Sequence, residues 1–330
     1  MYFINKDISF FIKNKIKVVQ ASTSKDIQNH GFIIKKPFKD FSFDQFFFRK
    51  RLKVNKKKIS RLVKNKIVLI TGGAGSIGSY LVKNIIKFNT KKIIIVDNNE
   101  YNIFKLKLSL NKNTSDLKKI DFKLLNIENN IQILKLFKES KPNIIFHVAA
   151  LKHVEFLENN TNQGINTNII GTENILKASI KYKANYFINI STDKAADPKN
   201  ILGATKLAAE YLCHKYSKIS KLKISIVRFG NVFNSNGSVS EIFRYQLMNG
   251  GKIKISHPKV ERFFMSGEEA SNLITSALEI ISTNQNYNRC RTFICNMEEP
   301  IQIIDLANKM IFLSGRSNKK YLSRNFYGLK

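Results

Sequence analysis

The sequence predicts an α/β fold: a doubly wound parallel sheet covered on both faces, with a smaller C-terminal lobe. Three observations carry this expectation. From Lys66 onward, apolar runs of strand length alternate with amphipathic stretches of helix length. Those runs are nearly continuous in Ile, Val and Leu, as strands buried on both faces require. The first of them passes straight into a glycine-rich turn that opens a helix.

Taken in order, the strands read KIVLIT (66–71), KIIIVD (92–97), DFKLLN (121–126), NIIFHVAA (143–150), YFINIS (186–191) and ISIVRF (224–229). Helical spacing follows each, over 76–88, 100–110, 131–139, 166–182, 200–217 and 240–249. After Gly250 the units shorten to ERFFMS, a helix over 268–281, the strand RTFIC and a helix over 301–314. Three segments result: a basic N-terminal arm (1–64), a nucleotide-binding domain (65–250) and a substrate-binding lobe (251–330). Within the arm, FKDFSFDQFFFRKRL reads as a short helix or strap packing on another surface, with no chemistry attached.

Composition narrows the function classes. With 330 residues, 43% hydrophobic against 24% charged, the chain can bury one large core plus a companion. Lys and Arg number 56 against 24 Asp and Glu, a net charge of +32. The excess is spread along the chain, and no basic-aromatic motif of the RNA-binding kind occurs, so nucleic acid is not the expected partner. A diffuse positive field instead favours phosphate-bearing small ligands. Cys213, Cys290 and Cys295 form neither a CxxC pair nor a cluster with metal spacing, so no metal is expected and a reducing, cytoplasmic setting fits. Lys and Asn interrupt the apolar opening well short of the roughly 18 residues a membrane span needs, and no cleavable leader is read there.

The turn Gly72-Gly73-Ala74-Gly75-Ser76-Ile77-Gly78 has the strand–turn–helix context of a dinucleotide site. Gly72 permits the turn, Gly75 lets backbone approach a pyrophosphate, and Gly78 lets helix pack on strand. The helix start at Ser76 and Ile77 then offers its N–H groups to phosphate. Asp97 ends the second strand about 20 residues past the last glycine, where a ribose-binding acid belongs. Its carboxylate would repel a 2′-phosphate, so NAD is favoured over NADP. Asn98 beside it and Ala149 at the fourth strand end complete the expected cofactor contacts. Asn126 and Ile127, ending the third strand, either meet the adenine edge or cap a surface turn.

At the fifth strand end stand Ser191-Thr192-Asp193-Lys194, followed by a helix carrying Leu202-Gly203-Ala204-Thr205-Lys206. Open α/β sheets bind ligands at this carboxyl edge. With these, HVAALKHVE, TNIIGTENIL, STDKAADPKNILGATK, VRFGNVFNSNGSV and ISHPKVERFFMS make the stretch from Lys66 to Ser314 resemble the CapD-type UDP-N-acetylglucosamine 4,6-dehydratases. These are extended members of the short-chain dehydrogenase/reductases, with a Rossmann fold.

The resemblance implies oxidation at C4 of a UDP-acetamido sugar, loss of water across C5 and C6, and hydride return to C6. It makes Lys194 the base at C5, Asp193 the acid for the C6 hydroxyl, and Thr192 a contact near C4. That division needs a neutral amine and a protonated acid, hence a buried site. Lys206 takes the lysine place of the superfamily's YxxxK motif and holds ribose, whereas Leu202 stands where Tyr is usual. Family members with Tyr there invert C5 and long members with Met retain it; Leu is close to Met in shape, so retention is expected. Lys152, Asn231 and Arg262 are the implied substrate contacts, and the family analogy implies a homo-oligomer. His147 and His153 read as structural. Long relatives of the resembled family continue past NFYGLK, so truncation of the 251–330 lobe at its C-terminus is one expectation. The competing readings are a UDP-sugar 4-epimerase, which normally keeps the Tyr, and a noncatalytic nucleotide-binding protein.

Overall fold

A computed structural model describes residues 41–47, 54–110, 117–257, 259–283, 289–297, 299–314, 316 and 322. Residues 1–40 of the expected arm and the terminal NFYGLK lie outside the described residues. In chain order the elements begin with α1 (Lys56–Val63), β1 (Ile67–Thr71), α2 (Ser76–Ile85), β2 (Lys92–Asp97), α3 (Glu100–Leu110), β3 (Ile120–Leu124), α4 (Asn130–Ser140) and β4 (Ile144–His147). Next come α5 (Val154–Asn159), α6 (Thr172–Lys181), β5 (Tyr186–Thr192), α7 (Ile201–Ile219), β6 (Lys223–Phe229), β7 (Asn231–Val232) and α8 (Val239–Met248). The rest are β8 (Glu261–Arg262), β9 (Phe264–Met265), α9 (Gly267–Thr283), β10 (Arg291–Ile294), β11 (Ile301–Gln302) and α10 (Ile303–Leu313).

These residues fall into two compact units. One comprises Leu52–Gly230 and Gly267–Asn296. Its parallel sheet has the order β10-β6-β5-β4-β1-β2-β3, the doubly wound arrangement expected. Leu69, for example, pairs with Ile94 on one side and Ile145 on the other. The side chains of Leu69, Ile94, Ile145, Phe187 and Ile226 bury one face against Ile175 and Leu176 of α6 and Cys213 of α7. On the opposite face α2 lies against α9, so closely that a Cβ on Gly267 would strike the Tyr80 ring.

The other unit comprises segments within Met1–Arg51, Asn231–Ser266 and Met297–Lys330. Here β7 runs parallel to β9, and β8 antiparallel to β11. Its core explains the phenylalanine-rich stretch: Phe41, Phe46 and Phe47 pack with Phe233, Phe243, Phe264 and Met310. Phe46 and Phe233 have ring centroids 5.2 Å apart.

The structure departs from the periodicity in three places. Residues 56–63, read as arm, form helix α1, capped where Asn55 Oδ1 accepts from Lys58 N at 3.1 Å and burying Ile59 and Val63. Strand β4 stops at His147, because the chain then leaves the sheet to lay Ala149 against Gly72. The helix expected over 166–182 begins as a π-helical segment, Ile165–Gly171.

Candidate active site

The glycine turn has the shape the sequence implies. Gly72 adopts φ +61, and a Cβ there would sit 2.7 Å from the Ala149 backbone. A Cβ on Gly78 would collide with the Gly72 carbonyl. Gly75 is the N-cap of α2; no side chain caps this end and no acid lies in its first turn, leaving Ser76 and Ile77 at a helix start suited to an anion. Asp97 is 8% exposed. Its two oxygens accept from Ala74 N and Asn99 N, each at 3.0 Å, tying the acid to the turn. Burial raises its carboxyl above the usual range, opposed by these backbone donors. Each oxygen retains acceptor capacity for a ribose hydroxyl. Asn98 next to it is exposed. Asn126 Oδ1 accepts from Glu128 N at 3.1 Å, the capping geometry, while Ile127 is buried and its carbonyl accepts from Asn174 Nδ2 at 3.1 Å.

Beneath the carboxyl edge lies a polar brace with no signature in the sequence. His147, fully buried, sits between Thr71 Oγ1 at 2.8 Å and Thr172 Oγ1 at 2.9 Å. Thr172 spends its proton on the Asn168 carbonyl at 2.7 Å. The hydrogen-bond network therefore assigns the imidazole proton to Nε2, with Nδ1 accepting from Thr71. Burial, and then the charge of Lys206, push the ring down to about 3, so it stays neutral. Asn168, in the π-helical segment, accepts from Leu151 N at 2.9 Å and donates to Leu151 O and Thr205 Oγ1, both at 3.1 Å. One amide thus pins the loop after β4 to helix α7, a use that fits π-segments at functional sites.

Strand β5 delivers Thr192 into the short turn Asp193–Ala195. Thr192 Oγ1 and Lys194 Nζ both donate to Asp193 Oδ1, each at 2.9 Å. The expected burial of this pair is corrected by the structure. Lys194 and Asp193 form an ion pair with side chains 28% and 32% exposed, because the turn stands beyond the end of the sheet. Helix α7 closes on the turn through Gly203, where a Cβ would come 2.5 Å from the Lys194 carbonyl. Asn200 caps the helix, accepting from Gly203 N at 2.9 Å. One turn apart on α7, Leu202 is 6% and Lys206 5% exposed. Burial pushes the Lys206 amine down to about 8, opposed by Cys213 and Glu210.

A family model described as polysaccharide biosynthesis protein matches residues 68–330. The chain belongs to this family. It is 35% identical over 282 residues to the probable polysaccharide biosynthesis protein EpsC of Bacillus subtilis, covering 86% of this chain and 46% of EpsC. Against the capsular polysaccharide biosynthesis protein CapD of Staphylococcus aureus it is 36% identical, covering 79% of this chain and 43% of CapD. The chain thus spans under half the length of these curated relatives. The X-ray structure of Pen from Bacillus thuringiensis superposes with a TM-score of 0.72 at 33% identity, over 81% of this chain and 78% of Pen. The fold, though not the identity, is shared with a dTDP-glucose 4,6-dehydratase from Streptomyces venezuelae (TM-score 0.66, 16% identity, 77% of this chain and 82% of that one). It is shared equally with a UDP-glucuronic acid 4-epimerase from Bacillus cereus (TM-score 0.68, 22% identity, 80% and 86%). The fold is therefore a doubly wound Rossmann-type fold common to both enzymes, which by itself does not choose between those reactions.

In this member of the polysaccharide biosynthesis family the remaining expected residues are distributed as follows. Lys152 is exposed, one residue past the braced Leu151. Asn231 and Arg262 belong to the phenylalanine-cored unit. Asn231 N donates to Phe263 O at 2.9 Å, and Arg262, exposed, donates from Nη1 to Glu261 O at 2.7 Å. His153 is exposed, edge-on to Phe156 at 6.1 Å. No helix among the described residues is long and apolar enough to cross a membrane. Two groups the sequence reading missed, buried Glu210 and partly buried Arg228, form an ion pair. The available signal was a charged residue inside the apolar run of β6.

Proposed function

We propose that this chain is a nucleotide-sugar 4,6-dehydratase acting on UDP-N-acetylglucosamine or a related UDP-acetamido sugar, with retention at C5. The observation that carries the reading is the Asp193–Lys194 pair, joined by one 2.9 Å hydrogen bond at the carboxyl edge of the sheet. Transfer of a single proton along that bond converts the ion pair into a neutral amine and a neutral acid. Those are the forms that remove the C5 proton and protonate the departing C6 hydroxyl. Substrate covering a pair now about one-third exposed favours that transfer, since desolvation penalises both charges. Thr192, already donating to Asp193, orients the acid and lies within the turn that meets the sugar.

The glycine turn, the α2 N-terminus and Asp97 suit a dinucleotide, and the carboxylate favours NAD over its 2′-phosphorylated form. When bound, NAD supplies reversible acceptance of hydride. Lys206, buried with an amine lowered to about 8, holds a ribose hydroxyl and, with Thr192 or a bound water, is a candidate acceptor of the C4 hydroxyl proton, because Leu202 offers none. Loss of that tyrosine hydroxyl also speaks against the 4-epimerase reading, and Leu202 is the basis for expecting C5 retention.

Proton NMR of the protein with UDP-N-acetylglucosamine and NAD in deuterated water tests the reading. The expected product shows a new C6 methyl signal with deuterium at C5, and its coupling reports retention. Interconversion at C4 without a methyl signal would assign epimerase chemistry, and binding without turnover a noncatalytic protein.

A further inference from the structure

Arg228 sits in β6 among Ile224, Ile226, Val227 and Phe229, all buried, and Glu210 lies on α7 one turn beyond Lys206 at 3% exposure. Arg228 Nε donates to Glu210 Oε1 at 2.8 Å and Nη2 donates to Oε2, a bidentate fork. Ser191 Oγ donates to the same Oε1. Arg228 Nη2 also reaches the Ala195 carbonyl at 3.5 Å. Ser191 immediately precedes Thr192, and Ala195 closes the turn carrying Asp193 and Lys194. The cluster therefore grips this turn at both ends and fastens it to the helix that bears Lys206. Glu210 is buried and Arg228 partly so, at 17% exposure; holding a charge pair there costs desolvation that an apolar pair would avoid, so packing alone does not account for it.

We propose that Arg228 and Glu210 are positioning residues: their paired charges hold the Ser191–Ala195 turn and Lys206 in one fixed relation while touching neither sugar nor cofactor. The inference rests on the dehydratase reading for its catalytic consequence, and on geometry alone for its structural one. Glu210 acts on Lys206 in charge as well, opposing the effect of burial on that amine.

Arg228→Lys is the informative variant, since it leaves Glu210 paired but cannot form the fork or reach Ala195. The double variant Arg228→Gln with Glu210→Gln removes both charges together and serves if the lysine variant does not fold. Amide hydrogen exchange at residues 193–196 should quicken about 10-fold in either, with the thermal midpoint near that of the parent chain. With UDP-N-acetylglucosamine and NAD, kcat should fall roughly 10- to 100-fold while KM moves less than about 3-fold. Unchanged exchange with unchanged kcat, or a loss carried by KM alone, would overturn the proposal. If the parent chain does not convert the sugar and exchange at 193–196 still quickens, the dehydratase reading fails and the clamp stands. If neither is seen, both fail.

Discussion

Gly203 decides how near helix α7 can come to the turn Asp193–Ala195. Its missing side chain leaves the Lys194 carbonyl where a Cβ would lie at 2.5 Å. Gly203→Ala should push the turn outward, cost about 1–3 kcal/mol of stability through overpacking, and lower kcat roughly 10- to 100-fold. Steady-state kinetics beside a urea titration checks both effects; parent-like kcat in a folded variant would remove the turn from the mechanism. His147 supplies a second test. Its folded value of about 3 lies below the ordinary 6.5, so the ring is neutral in the fold and protonates in the unfolded chain. The stability this contributes is whole above pH 6.5 and is lost as pH falls from 6.5 toward 3. Over that window the cost is about 1.4 kcal/mol per pH unit. Comparing urea unfolding of the parent and His147→Gln at pH 7.5, 6 and 5 should show that extra slope in the parent only. Residues of this kind differ in legibility. Gly72 and Asp97 announce themselves by position at strand ends, whereas His147 and Asn168 could not, because the partners of His147 lie 76 and 25 residues away and those of Asn168 lie 17 and 37.

Helix α1 shows how an element escapes sequence periodicity. Eight residues, with lysines at 56–58, leave Ile59, Leu62 and Val63 as a short apolar stripe, of which Ile59 and Val63 are buried. That is too little to stand out from a basic arm, and the helix is held by packing against α9 together with the Lys58–Glu279 ion pair at 3.2 Å. Ile59, fully buried, makes the dependence measurable. Ile59→Ala should destabilise the sheet-bearing unit by about 2–5 kcal/mol, read as a lowered urea midpoint; a loss under 1 kcal/mol, or about a tenth of ordinary domain stability, would show that α1 merely rests on the surface. The π-helical segment was hidden for a different reason. Its residues INTNIIG fit an α-helical spacing, and only the need of Asn168 to reach both Leu151 and Thr205 reveals why the helix widens there.

Across the molecule, charge and domain make-up follow separate logic. A net charge of +32 spread along the chain produces a field that draws anions irrespective of fold. Raising ionic strength from about 0.05 to about 0.5 M should therefore raise KM for the UDP-sugar several-fold with kcat little altered; a salt-independent KM would locate recognition wholly in short-range contacts. Each of the two units carries its own core, one built on Ile, Val and Leu across a sheet and the other on clustered phenylalanines. The second unit is assembled from three separated stretches, so Phe41, Phe233 and Phe264 meet only once the chain has folded.

The sequence by itself determined the parallel α/β class, the strand order's starting turn and the family, because period, glycine spacing and local motifs are properties of neighbours along the chain. It also placed Thr192, Asp193, Lys194 and Lys206 as the residues to watch. Tertiary structure alone decided that Asp193 and Lys194 stand as a partly buried ion pair rather than a fully buried one, and that Lys206 is buried enough to lose basicity. It alone joined Ser191, Glu210 and Arg228. Burial, desolvation and ion pairing are set by what packs against a side chain from distant segments, and no local pattern of residues encodes that neighbourhood.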